Sequence, residues 1–262
     1  MRYLGLALTG VLLAGAVGQG QQPVQQPPAG QNPAPNRLDA LLLQWEQSMR
    51  NVQMLVADVT RTTVDKVFSS TDVMEGTARY MKPNLAALHL VKKNRPEVFE
   101  RFVCSGNHLY EFNQQNKEVR VHELPPPKAG QVAEDNFLSF LFGMKAEEAK
   151  RRYELKLENQ DQHWVYIRIY PRDPKDQADF IEAQMVLSAA TFLPRRLWFQ
   201  QPNKKTEVIW DIPRIDPNAR VDRNEFGMPQ LPQGWTFKRV PRLDGAPAAN
   251  QPPPRIVRPN GQ

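Results

Sequence analysis

The sequence predicts a mainly β protein of the α+β class. The expected form is a strongly curled antiparallel sheet of about eleven strands, an unclosed half-barrel covered by an N-terminal helix and short inserted helices. Three observations predict it. Leu38, Leu41, Leu42, Trp45, Met49, Val52 and Leu55 recur at spacings of three and four, one apolar stripe along a helix. From residue 57 the period changes to two, in short runs rich in β-branched and aromatic residues that end at Ser, Pro, Asn and Gly turns. The connections leave no room for parallel crossovers, so the strands pair as antiparallel meanders. A sheet of that many strands must curl.

Asn36 is placed to cap the first helix. "ADVTRTTVD" (57 to 65), "TDVMEGTARYMK" (71 to 82), "NLAALHLVKK" (84 to 93), "EVFERFVCS" (97 to 105), "HLYEFNQ" (108 to 114) and "KEVRVHEL" (117 to 124) read as six strands. Gly76 fits a bend or a close backbone approach within the second of them. "EDNFLSFLFG" is apolar all round and reads as a buried helix stopped by Gly143. "KAEEAKRRYEL" begins as a short helix, with Glu147 to Arg151 and Glu148 to Arg152 at i,i+4. Strands resume at "YELKLENQ" (153 to 160), "HWVYIRIYPR" (163 to 172), "DFIEAQMVLSAATF" (179 to 192), "RRLWFQQP" (195 to 202) and "KTEVIWDIPRI" (205 to 215). "VDRNEFGMPQLPQGWTF" (221 to 237) reads as irregular chain that closes the sheet.

The ends read differently. "MRYLGLALTGVLLAGAVGQGQQ" has one Arg, an apolar run from Leu4 to Val17 and then small residues, the pattern of a secretory signal peptide over 1–20 cleaved near 18–21. Its run is too short for a stable membrane span. Residues 21–36 and 241–262 hold 11 of the 24 Pro with no apolar periodicity, so they read as a Pro/Gln-rich linker and a Pro-rich disordered tail. The folded domain is then 37–240. The formal charge of +6 is scattered in pairs, Lys92-Lys93, Arg151-Arg152, Arg195-Arg196 and Lys204-Lys205, which suit solvated strand ends and turns, an anionic membrane surface or wall polymers outside the cytoplasm. Export makes nucleic acid a poor partner. The single Cys104 cannot form an intrachain disulfide and suits a buried strand position.

The chain shows no catalytic constellation. His89, His108, His122 and His163 have no ligand spacing, and no nucleophile elbow, P-loop or dinucleotide fingerprint occurs, so neither a metal nor a cofactor is expected and the protein reads as non-enzymatic. Aromatic residues instead recur one or two to a strand. Core filling accounts for most of them, but a curled sheet of this length encloses room for an apolar ligand. The candidate cavity residues are Tyr80, Leu88, Leu90, Phe102, Tyr110, Phe112, Trp198 and Trp210. Phe137, Leu138, Phe140 and Leu141 are the candidate lid or plug.

The order of motifs from 37 to 236 resembles the outer-membrane lipoprotein carrier family, the LolA/LolB-like fold. The resemblance is carried by the amphipathic helix and by "VTRTTVD", then the hairpin "EGTARYMKPNLAALHL" and the run "CSGNHLYEFNQQNKEVRV". It continues through "NFLSFLFG" ahead of "RRYELKLEN", the pair "LPRRLWFQQPNKKTEVIWDI" and the ending "EFGMPQLPQGW". The Pro/Gln-rich tails and "YPRDPKDQADF" are similar to an exported planctomycete-type branch of that fold. The resemblance implies an unclosed eleven-stranded half-barrel lidded by helices, with a cavity that takes acyl chains. It also implies a latch: Lys82 stands where the carriers show an Arg that fastens the lid, and Lys lacks the planar fork of Arg.

Together these readings give an exported, periplasmic or secreted carrier or chaperone, a monomer, that binds lipid or a lipoprotein acyl chain and hands it between envelope proteins. The alternative is a cell-envelope binding or scaffold module whose core is self-filled and whose basic Pro-rich tails make the contacts.

Overall fold

The computed structural model describes residues 36–124 and 145–240. The expected leader, the linker up to residue 35, the apolar segment with Phe137, Leu138, Phe140 and Leu141, and the tail from 241 lie outside the described residues. Helix α1 spans Arg37–Asn51, and Asn36 caps it as expected, its side chain accepting from the Leu38 amide at 3.4 Å. The apolar stripe buries Leu41, Leu42, Trp45 and Met49. The extended backbone of Val52 ends the helix.

Six strands follow: β1 (Met54–Asp65), β2 (Ser70–Met81), β3 (Leu85–Lys92), β4 (Arg95–Ser105), β5 (His108–Asn113) and β6 (Glu118–Glu123). Helix α2 (Ala146–Arg152) leads into a second meander of β7 (Tyr153–Gln160), β8 (Trp164–Pro171), β9 (Glu182–Ser188), β10 (Pro194–Gln200) and β11 (Thr206–Asp216), with the single turn α3 (Pro174–Gln177) between β8 and β9. A 3-10 turn at Arg223–Phe226 precedes β12 (Thr236–Val240). All twelve strands form one sheet in the order β12-β6-β5-β4-β3-β2-β1-β11-β10-β9-β8-β7. The meanders join through β1 and β11, antiparallel from Val56↔Asp216 to Asp65↔Thr206. The ends, β12 and β7, do not meet, so the sheet is unclosed.

Two details correct the sequence reading. Among the described residues the strands number twelve rather than about eleven, and the sheet is mixed, because β12 runs parallel to β6, Thr236↔Glu118 through Val240↔His122. Residues 217–235 do not close the sheet. They cross one face of the first meander and return the chain to the far side of β6, a connection long enough for parallel pairing. The 3-10 turn and β12 lie within or at the end of a run that has no alternation to announce them. α3 was also unforeseen: it is four residues long, started by the Asp173 side chain accepting from the Lys175 amide at 2.8 Å.

Gly76 explains part of the curl. A Cβ there would lie 1.8 Å from the His89 carbonyl oxygen and 2.9 Å from the Leu90 Cα, so β2 and β3 approach more closely than any side chain allows. Register shifts between Asp58 and Thr60, Val91 and Lys92, Leu157 and Asn159, and Pro194 and Arg196 add local twist.

Paired residues share a face and neighbours alternate. One face carries Leu55, Ala57 and Val59 of β1, Ala78 and Tyr80 of β2, Leu88 and Leu90 of β3, and continues through Trp210, Leu197, Met185 and Ile167 of the second meander. These form one core cluster with Leu41, Leu42, Trp45 and Met49 of α1 and with Ala146 and Ala149 of α2. This is the helix-covered face. The opposite face of the first meander carries Val103, Tyr110, Phe112 and Val119 beneath Leu231 and Trp235, and Leu85 beneath Val221 and Phe226. Residues 217–235 thus form a strap over it.

Candidate functional site: the face beneath the N-terminal helix

The helix-covered face is apolar across β1–β3 and β8–β11. Its cover is held at the margins by polar contacts. At the N-terminal end of α1, Arg37 donates to the Gln160 side chain of β7 at 2.8 and 3.0 Å. At the other end the Lys82 ammonium, in the β2–β3 corner, donates to the Arg50 carbonyl. A cation there satisfies one of the carbonyls a helix leaves open at its C-terminus. Burial, then the neighbouring Arg50 charge, holds the Lys82 amine below its ordinary value. The residue singled out as a latch candidate thus contacts the C-terminal end of α1. Midway, Glu46 accepts from the Ala146 amide at 2.9 Å, the first residue of α2, and Lys150 of α2 pairs with Asp39 at 3.3 Å. α1 and α2 form one polar-stitched cover.

Beneath it the groups are mostly hydrocarbon. The Tyr80 hydroxyl reaches the Pro83 carbonyl at 3.4 Å, and burial pushes its pKa up to about 12. Tyr153, at the start of β7, is also pushed up to about 12, chiefly by burial. The indole N–H of Trp45, a residue 1% exposed, has no hydrogen-bond partner among the described residues. An orphan donor in apolar surroundings costs about 1–3 kcal/mol. The apolar region ends at Arg61, whose guanidinium grips Glu100 at 2.6 and 2.7 Å and lies 5.6 Å from the Trp210 ring centre.

The structure divides the eight candidate cavity residues. Tyr80, Leu88, Leu90 and Trp210 belong to the helix-covered cluster, and Phe102 packs against its edge. Tyr110 and Phe112 lie on the opposite face under the strap. Trp198 also faces away from the helix, paired with Gln184 and Ile209, with the Arg168 guanidinium 5.5 Å from its ring. Two consecutive aromatic residues of a strand must face opposite ways; at Trp198-Phe199 it is Phe199 that packs against the helix-covered cluster. Sequence reasoning passed over the contribution of the second meander, notably Ile167, Met185, Leu187 and Leu197, and Trp45 of the cover itself. The alternation in "WVYIRIYP" was the available signal for β8, buried at every second residue.

Cys104 is half-buried on β4. Its thiol donates to the Asn84 carbonyl at 3.3 Å, and burial raises its pKa, so it is a poor nucleophile. His122 lies 3.0 Å from Glu111 at the β5–β6 end, and His89 packs edge-on against Phe99, its pKa lowered first by burial and then by Arg101 and Arg79. Among the described residues no group of three His, Cys, Asp or Glu is gathered as metal ligands would be. A charged cleft of about 510 Å³ lies between α2 and α3, lined by Glu148, Arg151, Arg152, Arg172, Lys175 and Asp176, with Arg152 paired to Asp176 at 2.6 Å. Among the described residues no helix is long and apolar enough to cross a membrane.

No family model and no curated protein matches the chain. Among solved structures it is similar to an uncharacterized conserved protein from Thermus thermophilus, at 8% identity over 78% of this chain and 100% of that one, with a TM-score of 0.49. It is similar to a LolA superfamily protein from Nitrosomonas europaea, at 10% identity over 72% of this chain and 97% of that one, with a TM-score of 0.38. It is also similar to the Pseudomonas aeruginosa MucA/MucB complex, at 12% identity and a TM-score of 0.42, over 73% of this chain and 60% of that one. Likenesses at this level carry no argument about what this chain does. Its fold stands on the strand order and register described above.

Proposed function

We propose that this protein is an exported, non-enzymatic carrier or chaperone that seats a hydrophobic ligand, a lipid or lipoprotein acyl chain, against the helix-covered face. The observation that supports it is the construction of that cover. α1 presents Leu41, Leu42, Trp45 and Met49 to a continuous apolar wall, yet its polar attachments at Lys82 and Arg37 lie at its two ends and that at Glu46 along its seam with α2, none of them to the wall itself. Those contacts can release without breaking a strand pairing. An acyl chain that displaces the helix then replaces one hydrocarbon surface by another. Its ester or amide carbonyl offers an acceptor to the Trp45 N–H, which has none among the described residues. The protein acts as a monomer between an envelope donor and an envelope acceptor, in the exported planctomycete-type branch that its tails and motifs resemble.

The reading is tested by displacement of a fluorescent fatty acid from the full chain, with native mass spectrometry on the same sample. The expected result is one bound acyl chain per protein, displaced by palmitate. No adduct and no displacement would overturn it. A second reading, an envelope scaffold with a self-filled core, is favoured by the complete burial of Trp45 and Leu42 under the helix. It predicts the empty protein in both assays and loss of envelope association when residues 241–262 are removed.

A further inference from the structure

At one end of the sheet two hairpin tips stand side by side. β1 and β2 pair as far as Asp65↔Ser70, and β1 and β11 as far as Asp65↔Thr206. The Lys66 amide donates to the Lys205 carbonyl at 2.8 Å, which joins the β1–β2 tip to the β10–β11 tip. Beyond those last pairs the tips read Lys-Val-Phe-Ser (66–69) and Gln-Pro-Asn-Lys-Lys (201–205), three cations and no acid. Phe68 is 80% exposed and Val67 55%, the two most exposed large apolar residues among those described.

The exposure is fixed by the backbone. The Asp65 carboxylate accepts from the Val67 and Phe68 amides at 2.8 and 3.1 Å, and the Asn203 side chain accepts from the Lys205 and Thr206 amides at 2.9 Å each. Ser69 and Lys204 hold left-handed φ angles of 49° and 57° to complete the turns. The next hairpin ends short: the last β2–β3 pair is Met74↔Lys92, and the Lys93 amide donates to the Val73 carbonyl. The β1–β2 tip therefore runs about four residues farther, roughly 13 Å at ~3.3 Å each. Lys66 pairs with Glu207, whereas Lys204 and Lys205 have no ion pair among the described residues.

We propose that these twin tips dock the protein on an anionic lipid bilayer. Phe68 and Val67 enter the boundary between headgroups and acyl chains, while Lys66, Lys204 and Lys205 face the headgroup charge. Isolated exposed apolar residues are ordinary on protein surfaces. A projecting aromatic and a β-branched residue, fixed outward beside Lys66, Lys204 and Lys205 with the acids Asp65 and Glu207 set behind them at the last strand pairs, match the two components of interfacial binding, apolar insertion and electrostatic attraction. Charge complementarity selects the anionic surface. The proposal goes beyond the carrier reading and stands without it, since the tips lie outside the helix-covered cluster.

Sedimentation of the full chain with vesicles tests it, using phosphatidylglycerol and phosphatidylethanolamine against pure phosphatidylcholine. The native chain is expected to bind the anionic vesicles and to release with added salt. Phe68→Ser should weaken binding by about tenfold or more, and Lys204→Glu with Lys205→Glu by about fivefold or more for each residue. Both variants should keep the native melting temperature and the native fatty-acid displacement, which separates this result from failure of the carrier reading. Phe68→Trp should give a blue-shifted fluorescence difference from the native chain on adding anionic vesicles alone. Equal binding to phosphatidylcholine would contradict the proposal. So would undiminished binding of both variants, which would assign the contact to another region such as the basic tail, or no vesicle binding at all, which would leave Phe68 to a protein partner.

Discussion

The two covers of the sheet are built from different materials. The strap over the first meander is aromatic: Trp235 stacks on Phe99 at 6.2 Å with planes 18° apart and tilts against Phe112 at 5.8 Å, and the chain is then tied into the sheet as β12. The helical cover packs mostly aliphatic side chains and one Trp whose N–H has no partner among the described residues, and its polar contacts lie at its two ends and along its seam with α2. Lifting the strap means removing a strand from its ladder. Lifting α1 breaks no strand pairing: it releases a few partly solvated contacts, each worth about 1 kcal/mol or less, and uncovers Leu41, Leu42, Trp45 and Met49, about 1.5–3 kcal/mol for each unless a ligand takes their place. On the carrier reading the strap is the permanent cover of the sheet and α1, which is tied to no strand ladder, is the releasable one.

Four perturbations separate the covers, from the largest expected effect to the smallest. Gly76→Ala drives a methyl into the His89 carbonyl and should destabilise the whole sheet by about 3 kcal/mol or more, seen as a large fall in the denaturant midpoint. A near-native midpoint would show that β2 and β3 can separate there. Trp235→Ala should cost about 3 kcal/mol through loss of the strap, while fatty-acid displacement by the protein that remains folded stays native. Lost displacement at unchanged stability would merge the two covers into one functional unit.

Alkaline pH acts on the helix-covered face. Tyr80 and Tyr153 have pKa values raised from 10.0 to about 12, so their protonated forms are favoured in the folded state. That contribution is complete below pH 10 and is lost as pH rises from 10 through about 12, about 2–3 kcal/mol for each tyrosine. Thermal melts across that window, with tyrosinate absorbance recorded alongside, should show these two ionising only as the protein opens. Early ionisation of all six tyrosines without destabilisation would contradict the burial assigned to this face. The smallest effect is at Trp45. Trp45→Phe removes the orphan donor and should leave stability unchanged or raise it by up to about 1 kcal/mol. A loss well beyond the small volume change would mean that the N–H has a partner.

The helix and both meanders were legible because each depends on local periodicity, and the curled, unclosed sheet because so many strands must curl. α1 follows from the three-four spacing ended at Val52, and β1–β11 from alternation broken at turn residues. β12 was not legible, because "TFKRV" is too short and polar to alternate visibly, and its parallel partner β6 is over a hundred residues away in the chain. The site was half legible for a related reason. Composition places aromatics in strands, but which way they face depends on register, and register depends on which face is covered. Tyr110 and Phe112 became core residues of the opposite face because the strap packs over them, a tertiary fact that no strand pattern contains. Lys82 was singled out only by the resemblance of the hairpin it occupies, and its ammonium meets the Arg50 carbonyl at the end of α1.

The central claim, that α1 is the movable cover and the strap is not, is tested most directly by hydrogen exchange of the full chain with and without palmitate. The account predicts that amides of residues 40–51 open faster than those of β12 in the free protein and change their protection when palmitate binds. Residues 221–240 should exchange identically in both states. Unchanged exchange in α1 on adding palmitate, or equal changes in α1 and the strap, would contradict it.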